Sequence, residues 1–228
     1  LIVVGTAMRT LARHNIAPDF LCMIEAFDNS AQIRDLKLED INFVTEPFSN
    51  PVLKDFKFKN VFTHASSNMP VNRLWSDLFG MNNSEYLSKG TVSYTAINVA
   101  RILGCKQIVL VGQDFAYIEG QCYSKDSAYK DLCCEYNQET KRWEITAKNF
   151  EEFASAISPS EDIETKNAAA IRRLQRLNNS LFYVKGIRLK SGETYYTDYL
   201  SPDTTKVDLR YINIDENVLL PVQIRCFE

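Results

Sequence analysis

The sequence lacks the features that define several large classes of protein. Its 26 basic and 29 acidic residues leave a net charge of −3, without the basic excess that a nucleic-acid surface needs. No apolar run approaches the roughly 20 residues that span a membrane, and no signal peptide is visible. The two histidines, His14 and His64, lie far apart and at no metal-ligand spacing. We therefore expect no nucleic-acid partner, no membrane partner and no bound metal of the zinc type.

The cysteines do not form a disulfide or zinc pattern. Six are present, no C-x-x-C pair occurs, and Cys133 and Cys134 are adjacent. Cys22, Cys105 and Cys226 lie in or beside apolar segments, where a free cysteine behaves as a small hydrophobe. This usage indicates reduced thiols and a cytoplasmic protein. Because the chain opens inside an apolar run rather than with Met, we also expect it to be part of a longer protein.

Residues 90–117 combine an amphipathic helix with an apolar strand. Apolar side chains recur at helical spacing from Val92 to Leu103, and Thr91 or Ser93 can cap the free N–H groups at the helix start. Gly104 suits the left-handed residue that closes a helix. The aliphatic run at 108–111 predicts a strand buried on both faces, as in a parallel sheet covered by helices.

The first 25 residues predict a βαβ unit. An apolar strand at 1–4 is followed by a helix at 7–14, and Pro18 turns the chain into a second strand at 20–25. Further short strands are predicted at 42–45 and 60–64. The sequence therefore predicts an α/β fold, with a Rossmann-like, mostly parallel sheet and helices on both faces.

Three polar side chains stand where predicted strands end. They are Glu25, His64 and Asp114, and ligands of open α/β sheets bind outside the carboxyl ends of the strands. A carboxylate or an imidazole there can act as a general base. The alternatives are that Glu25 is a solvated loop acid, with Asp28 beside it, and that His64 is satisfied by hydrogen bonds within its loop.

The rest of the chain predicts two additions to this sheet. Residues 116–148 are polar, aromatic and locally basic, which indicates an inserted loop or lid. A helix is predicted from a cap at Ser158 to about Leu177, with an arginine cluster that is more typical of a solvated face than of an anion site. We assign residues 1–181 to one α/β domain and residues 182–228, which contain two hairpin patterns, to a small β-rich C-terminal extension.

Three stretches resemble one protein family. They read VGTAMRTLARHNIAPDFLCMIE, KGTVSYTAINVARILGCKQIVLVGQDFAY and GQCYSKDSAYKD. They are similar to the central domain of bacterial motility accessory factors, which are flagellin glycosyltransferases with a sialyltransferase-like fold. Archaeal 6-hydroxymethylpterin diphosphokinases share the wider family. The resemblance covers residues 1–130 well and the remainder loosely.

The resemblance implies a nucleotide-sugar crevice lined by residues of this chain. It marks Glu25 at the end of the predicted strand that follows Pro18, and Asp114 at the end of the predicted strand at 108–111. Gly5 and Thr6, in the turn after the first strand, complete the predicted nucleotide-binding set. That set is Gly5, Thr6, Gly90, Thr91, Ser93, Thr95 and Gln113. The family's usual Gly-Pro-Ser nucleotide turn, upstream of the first strand, is not in this chain.

The implied activity is transfer of a nonulosonic acid, pseudaminic acid or a related sialic-type acid, from a CMP-sugar to Ser or Thr of flagellin. Asp114, Glu25 and His64 are the candidate bases. The CMP-sugar is a substrate, no cofactor is firmly implied, and Mg²⁺ is left open. Two alternatives remain: ATP-dependent pyrophosphoryl transfer to a pterin, with Mg²⁺ on carboxylates, and a non-catalytic flagellin-binding module. The sequence does not define the sugar, the acceptor residues or the oligomeric state.

Overall fold

The chain forms two units, each with its own β-structure. The structure, a computed structural model, describes residues 1–64, 74, 77–80, 91–112, 117, 119–180, 187–188, 194–196 and 205–206. The first unit contains Leu1–Val109 with Lys125–Ala128, and the second contains Leu110–Ser124 with Tyr129–Glu228. The contacts thus divide the chain near residue 110, and the predicted domain boundary between residues 181 and 182 stays a prediction.

A four-stranded parallel sheet organises the first unit. Its strands are β1 (Ile2–Val4), β2 (Phe20–Cys22), β3 (Asn42–Thr45) and β4 (Asn60–Thr63). They lie side by side in chain order, and every neighbouring pair is parallel. All four strands therefore end at the same side of the sheet, which we call the carboxyl edge. The Rossmann-like α/β prediction is confirmed.

Each face of this sheet is covered by a helix. Successive strand residues point to opposite faces, so Leu21 packs on one side and Cys22 on the other. Helix α1 (Met8–Arg13) contributes Met8 and Leu11 to the first face. Helix α2 (Val92–Ile102) covers the second with three apolar side chains. These are Val92, Ala96 and Val99.

The ends of α2 are formed as the sequence predicts. The Thr91 hydroxyl accepts a hydrogen bond from the Ser93 N–H at 3.4 Å. At the other end Gly104 has φ +78, and the Cys105 N–H donates to the Ala100 carbonyl at 3.0 Å. This is the closing pattern in which glycine takes the left-handed position without a Cβ penalty.

The predicted buried strand at 108–111 is wrong. These residues are assigned to no strand, and Val109 and Val111 are 85% and 83% exposed. An aliphatic run forms a strand only where a neighbouring strand supplies hydrogen bonds and packing. None of the described strands pairs with this run, since β1 is the last strand on its side of the sheet.

The second unit contains a β-hairpin where a loop was predicted. Strands β5 (Leu132–Asn137) and β6 (Arg142–Ala147) pair antiparallel within the segment 116–148. Its inward side chains are Leu132, Cys134 and Ile145, and Tyr136 packs edge-on against Trp143 at 5.7 Å. The loop prediction is wrong because burial does not alternate along β5, whose first three residues are all buried, so the period-2 pattern of a half-buried strand is missing.

Two helices pack on the hairpin unit. They are α3 (Phe150–Ile157) and α4 (Ile163–Ser180). Helix α4 begins later than predicted, because Asp162 rather than Ser158 caps it: the Thr165 N–H donates to the Asp162 carboxylate at 2.8 Å. A side-chain acceptor so close to the helix start fixes where the first turn begins.

Short antiparallel strands follow α4. They are β7 (Ile187–Arg188), β8 (Thr194–Tyr196) and β9 (Thr205–Lys206), in the order β7-β8-β9. The pairing of β7 with β8 corresponds to the first predicted C-terminal hairpin. The second predicted hairpin, at 209–214 and 218–227, lies outside the described residues.

Candidate functional site

Parallel pairing brings three predicted site positions to the carboxyl edge. Gly5 and Thr6 follow β1, Glu25 lies three residues beyond β2, and His64 follows β4 directly. In open α/β sheets this edge is where ligands bind. The topology therefore supplies one location that unites residues far apart in the sequence.

The turn after β1 is closely packed. A Cβ on the buried Gly5 would lie 1.9 Å from Gln32 Oε1 and 3.0 Å from Met23 Cγ, so a larger residue there would have to displace the Gln32 side chain. The carboxamide of Gln32 thus occupies the space beside Gly5 that a ligand would otherwise approach. Thr6 is half-buried in the same turn. The nucleotide-binding roles of both residues stay predictions.

The loop after β2 is held from two sides. The half-buried Glu25 accepts a backbone hydrogen bond from the Asn50 N–H at 2.9 Å. On the other side, the Arg9 guanidinium of α1 donates to the carbonyls of Ala31 and Arg34, at 2.8 and 2.9 Å. Asp28 is exposed and accepts from the Ser30 N–H at 2.8 Å. A loop with this many backbone contacts gives Glu25 a defined position.

His64 lies beside an acid that the sequence did not reveal. Its Nδ1 is 3.9 Å from Glu46 Oε1, and both side chains are largely buried. Burial lowers the pKa of His64 to about 4, so the ring is neutral at pH 7. Neither ring nitrogen is accessible to solvent in this arrangement. The pair therefore lies enclosed at the ends of β3 and β4, and a role for His64 as a base stays a prediction.

Glu46 was not predicted as a site residue because only the strand register places it beside His64. Thr45 pairs with Thr63, so the next residues, Glu46 and His64, face one another across β3 and β4. The Glu46 backbone is fixed by Ser49, whose N–H donates to the Glu46 carbonyl at 3.0 Å. Only the register of β3 against β4, which local sequence hardly specifies, identifies the pair.

The start of α2 provides hydroxyl groups and the positive end of a helix dipole. Thr91 caps the helix, Ser93 is half-buried, and both lie in its first turn. Thr95 is only 3% exposed and is turned to the interior beside Val99. Helix starts attract anions because their N–H groups are unpaired and the helix dipole is positive there. Thr91 and Ser93 remain candidates for phosphate binding, and Thr95 is poorly accessible for it.

Three predicted site residues lie outside the described residues. They are Gly90, Gln113 and Asp114. In the sequence, Gly90 directly precedes Thr91 at the start of α2, and Gln113 and Asp114 directly follow Gly112. Their roles stay predictions from the sequence.

Two buried oxygens near the carboxyl edge have no hydrogen-bond partner among the described residues. They are Asn29 Oδ1, in a residue 1% exposed, and Thr45 Oγ1, at the end of β3. Buried polar atoms of folded proteins are nearly always hydrogen-bonded to protein or water. At this edge, two enclosed oxygens are therefore not satisfied by any described residue.

The second unit has a different kind of surface. An open groove of about 730 Å³ lies between β6 and the helices α3 and α4, with Ile145, Phe150 and Leu174 among its lining residues. Nearby, the Arg173 guanidinium stacks over the buried Tyr129 ring at 5.1 Å from its centre. The arginine cluster of α4 is therefore partly structural, since one of its members is engaged with an aromatic ring.

Three of the described thiols are deactivated by burial. Cys22, Cys105, Cys122, Cys133 and Cys134 are free. Burial raises the pKa of Cys22 and of Cys122 to about 12, and that of Cys134 to about 11. A nucleophilic cysteine needs a lowered pKa, so these three do not act as thiolates at neutral pH.

Within the described part of the chain, no group of three metal-binding side chains is found. No described helix has the length and apolarity that crossing a membrane requires.

The fold and the polar carboxyl edge define a Rossmann-like α/β protein. Comparison with known families gives a match to 6-hydroxymethylpterin diphosphokinase MptE-like over residues 1–120, which is more than half of the 228 residues. The chain belongs to this MptE-like family. Searches of curated proteins and of solved structures give no significant match. The match covers β1 to β4 and α2, and therefore the whole carboxyl edge.

Proposed function

We propose that this chain is the glycosyltransferase domain of a motility accessory factor. It transfers a nonulosonic acid, pseudaminic acid or a related sugar, from a CMP-sugar to Ser or Thr hydroxyls of flagellin in the cytoplasm. Three sequence stretches resemble that branch of the MptE-like family. The observation that supports the proposal most is the placement of Thr6, Glu25 and the turn after β3 along one carboxyl edge.

The reaction moves one sugar and one proton. The acceptor hydroxyl oxygen bonds to the anomeric carbon of the sugar, its proton passes to a base, and the bond from that carbon to the CMP phosphate oxygen breaks. CMP leaves with the bonding electrons. Thr91, Ser93 and the positive end of the α2 dipole would stabilise the phosphate charge, which is the larger catalytic term in such reactions.

Glu25 is our first choice for the base. Its side chain is half-buried rather than enclosed, and its loop is fixed by Asn50 and Arg9. His64 is neutral at pH 7 but has both ring nitrogens buried, and Asp114, outside the described residues, rests on the sequence alone. A base at this position has to accept one proton in the transition state, which contributes roughly 10²- to 10⁴-fold to the rate.

The test compares two acids on either side of β2, one before its start and one beyond its end. Glu25→Gln removes the proposed base at the end of β2, and Asp19→Asn changes an exposed acid just before β2. With flagellin and CMP-pseudaminic acid, we expect Glu25→Gln to slow modification at least about 100-fold. Asp19→Asn should stay within about twofold of wild type, with folding of both checked by circular dichroism. Normal modification by folded Glu25→Gln and Asp114→Asn variants would show that the site is wrong.

A second function is favoured by the family itself. The description of the family names 6-hydroxymethylpterin diphosphokinase. This activity needs ATP and Mg²⁺, and carboxylates such as those of Glu25 and Asp28 would hold the cation. Isothermal titration separates the two functions. We expect heat from CMP-sugar and none from ATP with Mg²⁺. The reverse result would favour the diphosphokinase, and flagellin binding without either nucleotide would indicate a binding module.

A further inference from the structure

Asn50 links the loops that follow β2 and β3. Its backbone N–H donates to the Glu25 carbonyl at 2.9 Å, and its Nδ2 donates to the Ala26 carbonyl at 3.2 Å. Its Oδ1 accepts from the Val52 N–H at 3.0 Å. One residue thus binds two consecutive carbonyls of the Glu25 loop and, through its oxygen, its own chain.

The segment around Asn50 is well anchored. Asn50 caps the 3-10 helix Pro51–Asp55, in which proline occupies the first turn with its φ already suited to a helix. Leu53 of that helix is buried in the core on the α1 face of the sheet. Contacts made by Asn50 therefore attach the Glu25 loop to the packed interior.

We infer that Asn50 is a positioning residue, which holds the Glu25 carboxylate at the carboxyl edge through the backbone of residues 25 and 26. The inference rests on the proposed function, since it gives Asn50 a part in the same site. Glu25 contacts the substrate, whereas Asn50 acts only through the loop. Such a residue is invisible in the sequence, because Asn50 lies 25 positions away on another strand-end loop.

Positioning matters at this point because Glu25 lies in the long connection between β2 and β3, at residues 23–41. Groups in a catalytic site need to be held within about 0.5 Å of their working geometry. A displacement of about 1 Å by a change away from the chemistry can cost roughly 100-fold in rate. Loss of the hydrogen bond to Ala26 should lower kcat while the sugar and nucleotide contacts, and therefore KM, change little.

The sheet offers a matched control at its opposite edge. Asn42 Nδ2 donates to the Asp19 carbonyl at 2.9 Å, and Asn42 Oδ1 accepts from Asn60 Nδ2 at 2.9 Å. Replacing either asparagine by aspartate keeps the accepting oxygen and removes one side-chain donor to a loop carbonyl. Asn50→Asp does this beside Glu25, and Asn42→Asp does it at the amino end of the strands.

The experiment measures amide exchange and kinetics on the same variants of the full chain. Hydrogen–deuterium exchange of residues 23–28 should be at least about tenfold faster in Asn50→Asp and unchanged in Asn42→Asp. With CMP-pseudaminic acid and flagellin, kcat of Asn50→Asp should fall about 10- to 100-fold with KM within about twofold. Asn50→Ser, which keeps a hydroxyl to cap Val52, serves as the second variant and should behave as Asn50→Asp.

The two readouts separate the inference from the proposed function. Unchanged exchange at residues 23–28 in both Asn50 variants would overturn the positioning role, as would wild-type kcat in a variant whose loop exchanges faster. Absence of transfer by the wild-type chain would contradict the proposed function alone. In that case the exchange of residues 23–28 decides whether Asn50 holds the loop.

Discussion

The two units differ in the polar side chains that they leave half-buried at the ends of their strands. In the parallel-sheet unit, acids and hydroxyls stand at the ends of strands, where Thr6 and Glu25 remain half-buried. In the hairpin unit, polar groups complete the protein's own backbone: Asn178 Oδ1 accepts from the Ile145 N–H at 2.7 Å, and its Nδ2 donates to the Ile145 carbonyl at 2.9 Å. We therefore keep the proposed site in the first unit, while the contacts of Asn178 hold the packing of the second.

The largest expected effects come from the two cores. Leu21→Ala in the parallel sheet and Phe153→Ala in α3 remove side chains that are 0% and 1% exposed. Each should lower the free energy of unfolding by about 2–5 kcal/mol, through lost burial and the cavity left behind. Urea unfolding followed by circular dichroism measures the loss. Leu103→Ala, at a residue 53% exposed, is the control and should stay within about 0.5 kcal/mol of wild type. Equal unfolding of all three would mean that the described cores do not stabilise the chain.

A slightly smaller effect should appear with pH. Burial lowers the pKa of His64 to about 4 in the folded state, against 6.5 for the free side chain. The unfolded chain therefore binds the extra proton first, so stability is full above pH 6.5 and falls as the pH drops towards 4. We expect a loss on the order of 2–3 kcal/mol over this range. Denaturant unfolding at several pH values measures it.

The contribution of His64 is separated by substitution. His64→Gln should flatten this part of the profile, and His14→Gln, at an exposed residue, should leave it unchanged. A wild-type slope in His64→Gln would show that the imidazole is not protonated on unfolding as the structure requires.

Features of the fold that depend on local interactions could be predicted from the sequence, whereas features that depend on pairing between distant segments could not. The β1–α1–β2 unit and the two ends of α2 follow from local patterns, because apolar runs, Thr91 and Gly104 act within a few residues of themselves. The hairpin was missed because the charged and tyrosine-rich composition of 116–148 resembles a loop. The run at 108–111 failed for the opposite reason, since its composition fits a strand but no described strand pairs with it.

The same distinction applies to the candidate site. Glu25 was predicted because the turn signal Pro18 and the apolar run before it place it at a strand end. Glu46 and Asn50 were not, because their roles depend on the register of β3 against its neighbours and on contacts across two loops. Strand register is set by the whole sheet, and local sequence contains little of that information.

Asn178 tests the self-contained character of the hairpin unit. Asn178→Leu removes both hydrogen bonds to Ile145 and leaves that N–H and carbonyl without their side-chain partner. Thermal or urea unfolding should show a loss of about 1–3 kcal/mol. The neighbouring exposed Gln175, replaced by Leu, provides the comparison and should change stability little. Equal stabilities of the two variants would remove the contrast between the units.

The smallest effect is expected at the start of α2. Thr91→Ala removes the hydroxyl that accepts from the Ser93 N–H and should cost about 1 kcal/mol of stability. Thr91→Ser keeps the hydroxyl and should restore most of it. A loss in Thr91→Ser as large as in Thr91→Ala would indicate that the methyl group, rather than the cap, supports the helix.

The central claim is that the carboxyl edge of the parallel sheet binds the nucleotide-sugar. Hydrogen–deuterium exchange of the chain, with and without saturating CMP-pseudaminic acid, tests it directly. We expect the ligand to protect residues 4–8, 23–28 and 45–50 and to leave the hairpin at 132–147 unchanged. Protection confined to the hairpin and α4, or no protection of the strand ends at saturating ligand, would contradict it.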